Sequence, residues 1–189
     1  MCHRFIVAAL LGALLPASLP AQEKVAVAAA ANLVYALDSI HAAFKHAAPD
    51  VVVTLTTGAS GSLFAQIRHG APFDVFLSAD TEYPAQLVAA RAADASTLRT
   101  FATGRLVLWT TQPTITVSNL SGALRSPGVK KIALAQPKSA PYGRAAQAAL
   151  EKLGAWDELR SKLVFGESIS QTAQFVETGS ADLGFVALS

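Results

Sequence analysis

The stretch Thr57-Gly-Ala-Ser-Gly-Ser-Leu63 holds the residues of this chain best suited to chemistry, and it runs on through Gln66-Ile67 into Gly70-Ala-Pro-Phe-Asp-Val-Phe-Leu-Ser-Ala-Asp80. A loop of small residues, a short amphipathic run stopped by Gly70 and Pro72, and an apolar run ending in Ser78-Ala-Asp80 describe a ligand-facing loop, a helix and a buried strand. Ser60 then stands at a helix start, where the first backbone N–H groups lack partners and the helix dipole is positive. The chemistry on offer is the holding of an anion by neutral donors, with no counter-charge. A plain helix cap is the other role this pattern leaves open for Ser60.

Other chemistries fit less well. Gly58-Ala-Ser-Gly-Ser62 is close to a nucleophile elbow, but Ser62 stands where Gly-x-Ser-x-Gly needs its last glycine, and no histidine follows His69 to complete a hydrolase triad. A secreted serine hydrolase using Ser60 is nonetheless the alternative from a different functional class. His41 and His46 are five residues apart, on different faces of a helix and without a third ligand, so no zinc site is expected. Asp74 and Asp80 flank an apolar strand and read as caps of the next turn or helix. No catalytic residue and no cofactor are expected.

The elements that must position this loop follow from periodicity. Residues 25–29 read as a strand; Leu33, Leu37, Ile40 and Phe44 then recur at helical spacing, Pro49-Asp50 ends that helix, and residues 51–56 form a second strand. The loop at Ser60, its helix and a strand over residues 74–77 complete a second β-α-β unit, in a parallel sheet too apolar to face water. Residues 80–103 are expected to form one or two surface helices, and a lobe boundary falls near 102–104. Beyond it, strands are expected at 105–109, 131–135 and 183–186. Helices are expected at 141–153, capped by Gly154, and at about 170–178, capped by Gly179. The division is therefore residues 22–102 for the first lobe and 103–189 for the second. The chain stops at Ser189, directly after an apolar strand without a helix to cover it, which is the pattern expected of a fragment truncated at the C-terminus.

Composition limits the partners. The chain has 189 residues, 52% hydrophobic and 15% charged, which excludes a disordered polypeptide. A basic start at Arg4, an apolar run from Phe5 to Leu15 and a stop at Pro16 read as a secretory signal peptide over residues 1–21, since roughly 20 apolar residues are needed to span a bilayer. Cys2, the one cysteine, lies in that leader, so disulfides and thiolate sites are excluded from the mature protein. Removing Arg4 from 15 Lys and Arg leaves 14 against 13 acidic residues, without a basic block, which argues against nucleic-acid binding.

Ala29-Ala-Ala-Asn-Leu33, Gly58-Ala-Ser-Gly-Ser-Leu63, the Gly70 to Asp80 segment, Pro141-Tyr-Gly143 and Leu153-Gly-Ala-Trp156 together resemble the periplasmic molybdate-binding proteins of bacterial ABC transporters. The resemblance implies an α/β, type II periplasmic binding fold, with two lobes joined by a hinge and closing on one tetrahedral oxyanion. It implies a first lobe completed by C-terminal helices. It also implies a monomer in the periplasm, passing molybdate or tungstate to a membrane permease.

Carried over residue by residue, the resemblance implies that Asn32 stands where the family usually has a serine, Ser60 keeps the serine of the second loop, Tyr142 follows Pro141, and Ile169 supplies a backbone N–H. Many members have a tyrosine in the last strand of the second lobe, where this chain has Ala187; the inference is that Tyr142 moves the phenol across the site and keeps the donor count. Asn32 and Tyr142 also have readings as a helix cap and a packed first-turn residue. Molybdate, tungstate and sulfate carry no proton at neutral pH, so their site needs donors alone. Phosphate retains a proton and wants an acceptor, which the loops lack. Sulfate or another oxyanion remains the alternative ligand.

Overall fold

Short parallel strands joined by helices build the first lobe, because each strand ends in small residues that let the chain turn at once into a helix. The computed structural model describes residues 22–189; the expected leader over 1–21, with Cys2, lies outside the described residues. The order is β1 (Glu23–Ala30), a 3-10 turn (Ala31–Leu33), α1 (Val34–Ala47), β2 (Val51–Gly58), α2 (Ser60–Arg68), β3 (Val75–Leu77) and α3 (Glu82–Ala89). The strands form a parallel sheet of order β2-β1-β3. The sequence places β1, β2 and β3 within about two residues at their ends, with α1 and α2 between them; over residues 80–103, where one or two surface helices are expected, α3 forms and a 3-10 turn follows at Ala95–Thr97, and the turn at Ala31–Leu33 is not anticipated. One difference concerns α1: its stripe of Leu33, Leu37, Ile40 and Phe44 forms, yet Ile40 is 60% and Phe44 41% exposed.

The second lobe is a mixed sheet of order β4-β7-β5-β6, made of β4 (Leu106–Trp109), β5 (Ile132–Ala135), β6 (Leu163–Gly166) and β7 (Leu183–Ala187). β4 runs antiparallel to β7; the other pairs are parallel. Its helices are α4 (Leu120–Leu124), α5 (Pro141–Lys152), α6 (Trp156–Leu159) and α7 (Ile169–Glu177). All four residues of β5 are buried, and Leu124, Ile132, Leu134, Leu150 and Leu183 close the core around it. Gly154 and Gly179, the expected helix stops, adopt φ of +64° and +70°, the left-handed conformation that glycine enters without a Cβ penalty. Among the described residues, no helix is long and apolar enough to cross a membrane.

α4, α6 and β6 are absent from the sequence reading. They are five, four and four residues long, too short to display a period, and α4 is announced only by Asn119, whose side chain accepts from Gly122 N.

The start of α5 rests directly on the end of β5. A Cβ at Gly143 would overlap the Ala135 carbonyl and lie 2.9 Å from the Gln136 carbonyl carbon, so this position tolerates nothing larger. Gly128, by contrast, has nothing within 4 Å. Gly143→Ala is expected to lower unfolding free energy by about 1–3 kcal/mol through overpacking, while Gly128→Ala changes it by less than about 1 kcal/mol; urea denaturation of both variants measures the contrast.

Candidate functional site

In the first sheet, of order β2-β1-β3, the C-terminal ends of the three parallel strands lie along one edge; in α/β sheets this is where ligands sit. The second sheet meets it with the C-terminal ends of β5 and β6, which lead into α5 and α7. Ala30, Ala31, Asn32, Gly58, Ala59, Ser60 and Ala79 from one lobe and Ala140, Pro141, Tyr142 and Ile169 from the other line a cavity of about 200 Å³, part of it open to solvent. The structure therefore brings Asn32, Ser60, Tyr142 and Ile169 together around one space, although they span 137 positions of sequence from Asn32 to Ile169.

Each contributes differently. Ser60 is 1% exposed and is the first residue of α2, with Ala59 as the N-cap, so it does not cap its own helix. Its Oγ accepts a hydrogen bond from Ala79 N at 3.0 Å, which occupies a lone pair and leaves the hydroxyl proton free to donate. Asn32 makes no side-chain cap bond to the helix that follows it. Its Oδ1 is buried without a hydrogen-bond partner. A half-turn of the amide puts Nδ2 in that place, where a bound anion would satisfy it.

Tyr142 is 8% exposed and packs with Ala31, Ala59, Ala135, Ala140 and Ile169. A Cβ on Gly104 would overlap its hydroxyl, so the glycine in the strand-free crossing to the second lobe makes the room for the phenol. Burial raises the phenol above its ordinary value of 10, and no neighbouring charge counters it. The hydroxyl thus keeps its proton at physiological pH. Ile169 opens α7 behind Ser168, whose side chain accepts from Gln171 N at 3.3 Å; the N–H groups of the first turn ahead of it have no such partner within the helix. Among the described residues, no carboxylate, lysine or arginine lines the cavity. Three helix starts, α2, α5 and α7, face it with neutral donors.

The remaining candidates serve the scaffold. Asp80 caps α3, accepting from Tyr83 N at 3.2 Å, as expected. Asp74 does not cap a following turn: its Oδ2 accepts from Ala26 N at 2.7 Å, and so it ties β1 to the entry of β3. The nucleophile reading of Ser60 finds no base, since its partner is a backbone N–H and the one histidine near α2, His69, bonds the Ala65 carbonyl at 2.7 Å. Among the described residues no group of three His, Cys, Asp or Glu could hold a metal ion. Contacts that cross between the lobes escaped the sequence reading: Ser170 Oγ donates to Ala31 O at 3.0 Å, Gly61 N donates to Ser139 O at 2.8 Å, and Arg144 reaches Asp80 and Tyr83. Hydrophobic period carries no signal for polar pairs so far apart.

Residues 25–189 match the family model of the bacterial extracellular solute-binding proteins. The chain belongs to this family. It is 42% identical over 186 residues to the molybdate-binding protein ModA of Azotobacter vinelandii, covering 98% of this chain and 72% of that protein. It is also 42% identical over 182 residues to the ModA of Rhodobacter capsulatus, covering 96% of this chain and 70% of the relative. The solved periplasmic molybdate-binding protein of Azotobacter vinelandii superposes with a TM-score of 0.82 at 36% identity, over 87% of this chain and 71% of that one. The two-lobed periplasmic binding fold implied by the loop motifs is therefore the fold of this chain.

The raised Tyr142 phenol has a consequence for stability. Below pH 10 it is neutral in the folded and unfolded chains alike; above pH 10 the unfolded chain loses the proton first, so the folded state is disfavoured as pH rises. Unfolding free energy is expected to fall above pH 10, and to fall less steeply in Tyr142→Phe. Denaturant midpoints of the two proteins across that range measure the difference.

Proposed function

We propose that this protein is a periplasmic receptor that captures molybdate or tungstate between its lobes and delivers it to the permease of an ABC transporter, acting as a monomer and without catalysis. The observation that carries the reading is the uncharged cavity: a hydroxyl, an amide, a phenol and three helix starts, with no acidic or basic side chain among the described residues of the lining. A dianion buried there gains charge-assisted hydrogen bonds, and each helix terminus adds about 0.3–1 kcal/mol or more when partly buried. A carboxylate would repel it. A lysine would bind it less selectively than donors fixed on helices.

The names of the similar proteins support molybdate as the ligand, and the leader expected over residues 1–21 supports export to the periplasm. The lobe division at 102–103 belongs to the same reading, with the extended segment before β4 and the segment after β7 as the flexible crossing; Leu188 N donates to Arg105 O there at 3.0 Å. Hinge closure would then couple binding to a shape the permease recognises.

Calorimetric titration with molybdate, tungstate, sulfate and phosphate tests the proposal. Micromolar or tighter molybdate binding with much weaker sulfate and phosphate binding is expected, and the absence of heat and of any thermal shift with all four would overturn it. Tyr142→Phe is expected to weaken molybdate by about 1.5–3 kcal/mol, the range for a hydrogen bond to a charged group. Asn32→Asp, which keeps the shape but turns a donor into an anion, is expected to weaken it more than Asn32→Ala does.

A further inference from the structure

Outside the cavity, the lobes are joined by a second set of contacts centred on Arg144. Its guanidinium binds the Asp80 carboxylate, donates to Tyr83 Oη at 3.0 Å, lies 5.1 Å from the centre of the Tyr83 ring and comes within 3.6 Å of Glu82. Asp80 and Tyr83 belong to the first lobe, Arg144 to α5 of the second. The receiving side is built in advance: Asp80 Oδ1 is fixed by Ser78 Oγ at 3.0 Å and Tyr83 N at 3.2 Å, both within the first lobe, and Oδ2 is left to the arginine. The seam beside it is close-fitting, since a Cβ on Gly61 would lie 2.5 Å from Tyr83 Oη and 2.7 Å from the Ser139 carbonyl.

Both ends of this pair adjoin the residues of the cavity. Ala79, whose N–H holds Ser60 Oγ, directly precedes Asp80, and Tyr142 stands two residues before Arg144 on the same helix. Seating Arg144 on Asp80 therefore sets the register of the Tyr142 side against the Ser60 side. We propose that Arg144 is a positioning residue, an interlobe clasp that closes on Asp80 and Tyr83 and sets how long a captured anion stays, without touching that anion. The retention part rests on the oxyanion reading above; the closing part does not. A planar, always charged fork serves this role better than a flexible ammonium.

The test uses the chain with Cys2→Ser and spin labels at exposed Lys45→Cys and Lys152→Cys, one in each lobe, comparing Arg144→Met, Arg144→Lys, Asp80→Asn and the double variant Asp80→Asn with Arg144→Met. Asparagine keeps the cap to Tyr83 N, and methionine keeps the aliphatic stem. Stopped-flow tryptophan fluorescence is expected to show molybdate release at least tenfold faster in Arg144→Met and Asp80→Asn, with association changed less than threefold. The double variant is expected to release no faster than the quicker single, and Arg144→Lys to fall between. The closed fraction of the interlobe distances, with or without molybdate, is expected to drop in both single variants. Unchanged release and distances, or independent effects that multiply in the double variant, would overturn the clasp. Should the parent bind no oxyanion, the anion reading fails on its own, and the distances of the ligand-free proteins still decide the clasp.

Discussion

On the proposed reading, burying an anion without a counter-charge is the constraint on which the rest of this molecule depends. A bare charge removed from water is costly unless every lone pair meets a donor. In a cavity lined by no lysine or arginine, those donors must be backbone N–H groups and uncharged side chains. Free N–H groups occur in number only at helix starts, so several helices have to begin at one point. An open parallel sheet provides that arrangement, because each strand delivers the chain to a helix N-terminus along one edge. Two such edges, turned face to face, would surround the ion.

The same constraint explains the small residues. Ala30, Ala31, Gly58, Ala59, Ala79 and Ala140 line the cavity because larger side chains would hold the helix starts away from it. Gly143 admits the first turn of α5 against β5, and Gly104 leaves room for the phenol that turn carries. Side-chain volume is withheld near the cavity and spent in the second-lobe core, where Leu124, Ile132, Leu134, Leu150 and Leu183 are fully buried. The lobe that supplies Ser60 has less of such packing, with Leu63 and Leu87 as its most enclosed leucines.

How much of this was legible varied with the range of the interaction. The loop at Ser60, its helix and the following strand were readable because small residues, a helical stripe and an apolar run lie consecutively in the chain. The glycine stops at Gly154 and Gly179 were readable because a positive φ is a local demand. β6 was not, since four residues show no period, and it is recognised as a strand only by its pairing with β5. The role of Asp74 was misread for a related reason: its acceptor serves Ala26 N, 48 positions away, where local rules anticipate a partner in the next turn. Resemblance to a family supplied Asn32, Tyr142 and Ile169; spacing alone supplied only Ser60.

Tyr142 illustrates how the room for one donor is shared among several positions. Ala187, at the end of β7, packs against the same buried cluster as Tyr142, which also contains Ile169 and Ala31. A second large side chain at 187 would compete with the phenol for that volume, and at Gly104 even a methyl group would displace it. Residues 104, 142 and 187 are therefore coupled through one pocket of space. A phenol can enter it from the last strand or from the first turn of α5, but the room it needs comes from removing side chains at the other positions. What a bound oxyanion would meet in either case is one O–H donor held in its protonated form by burial.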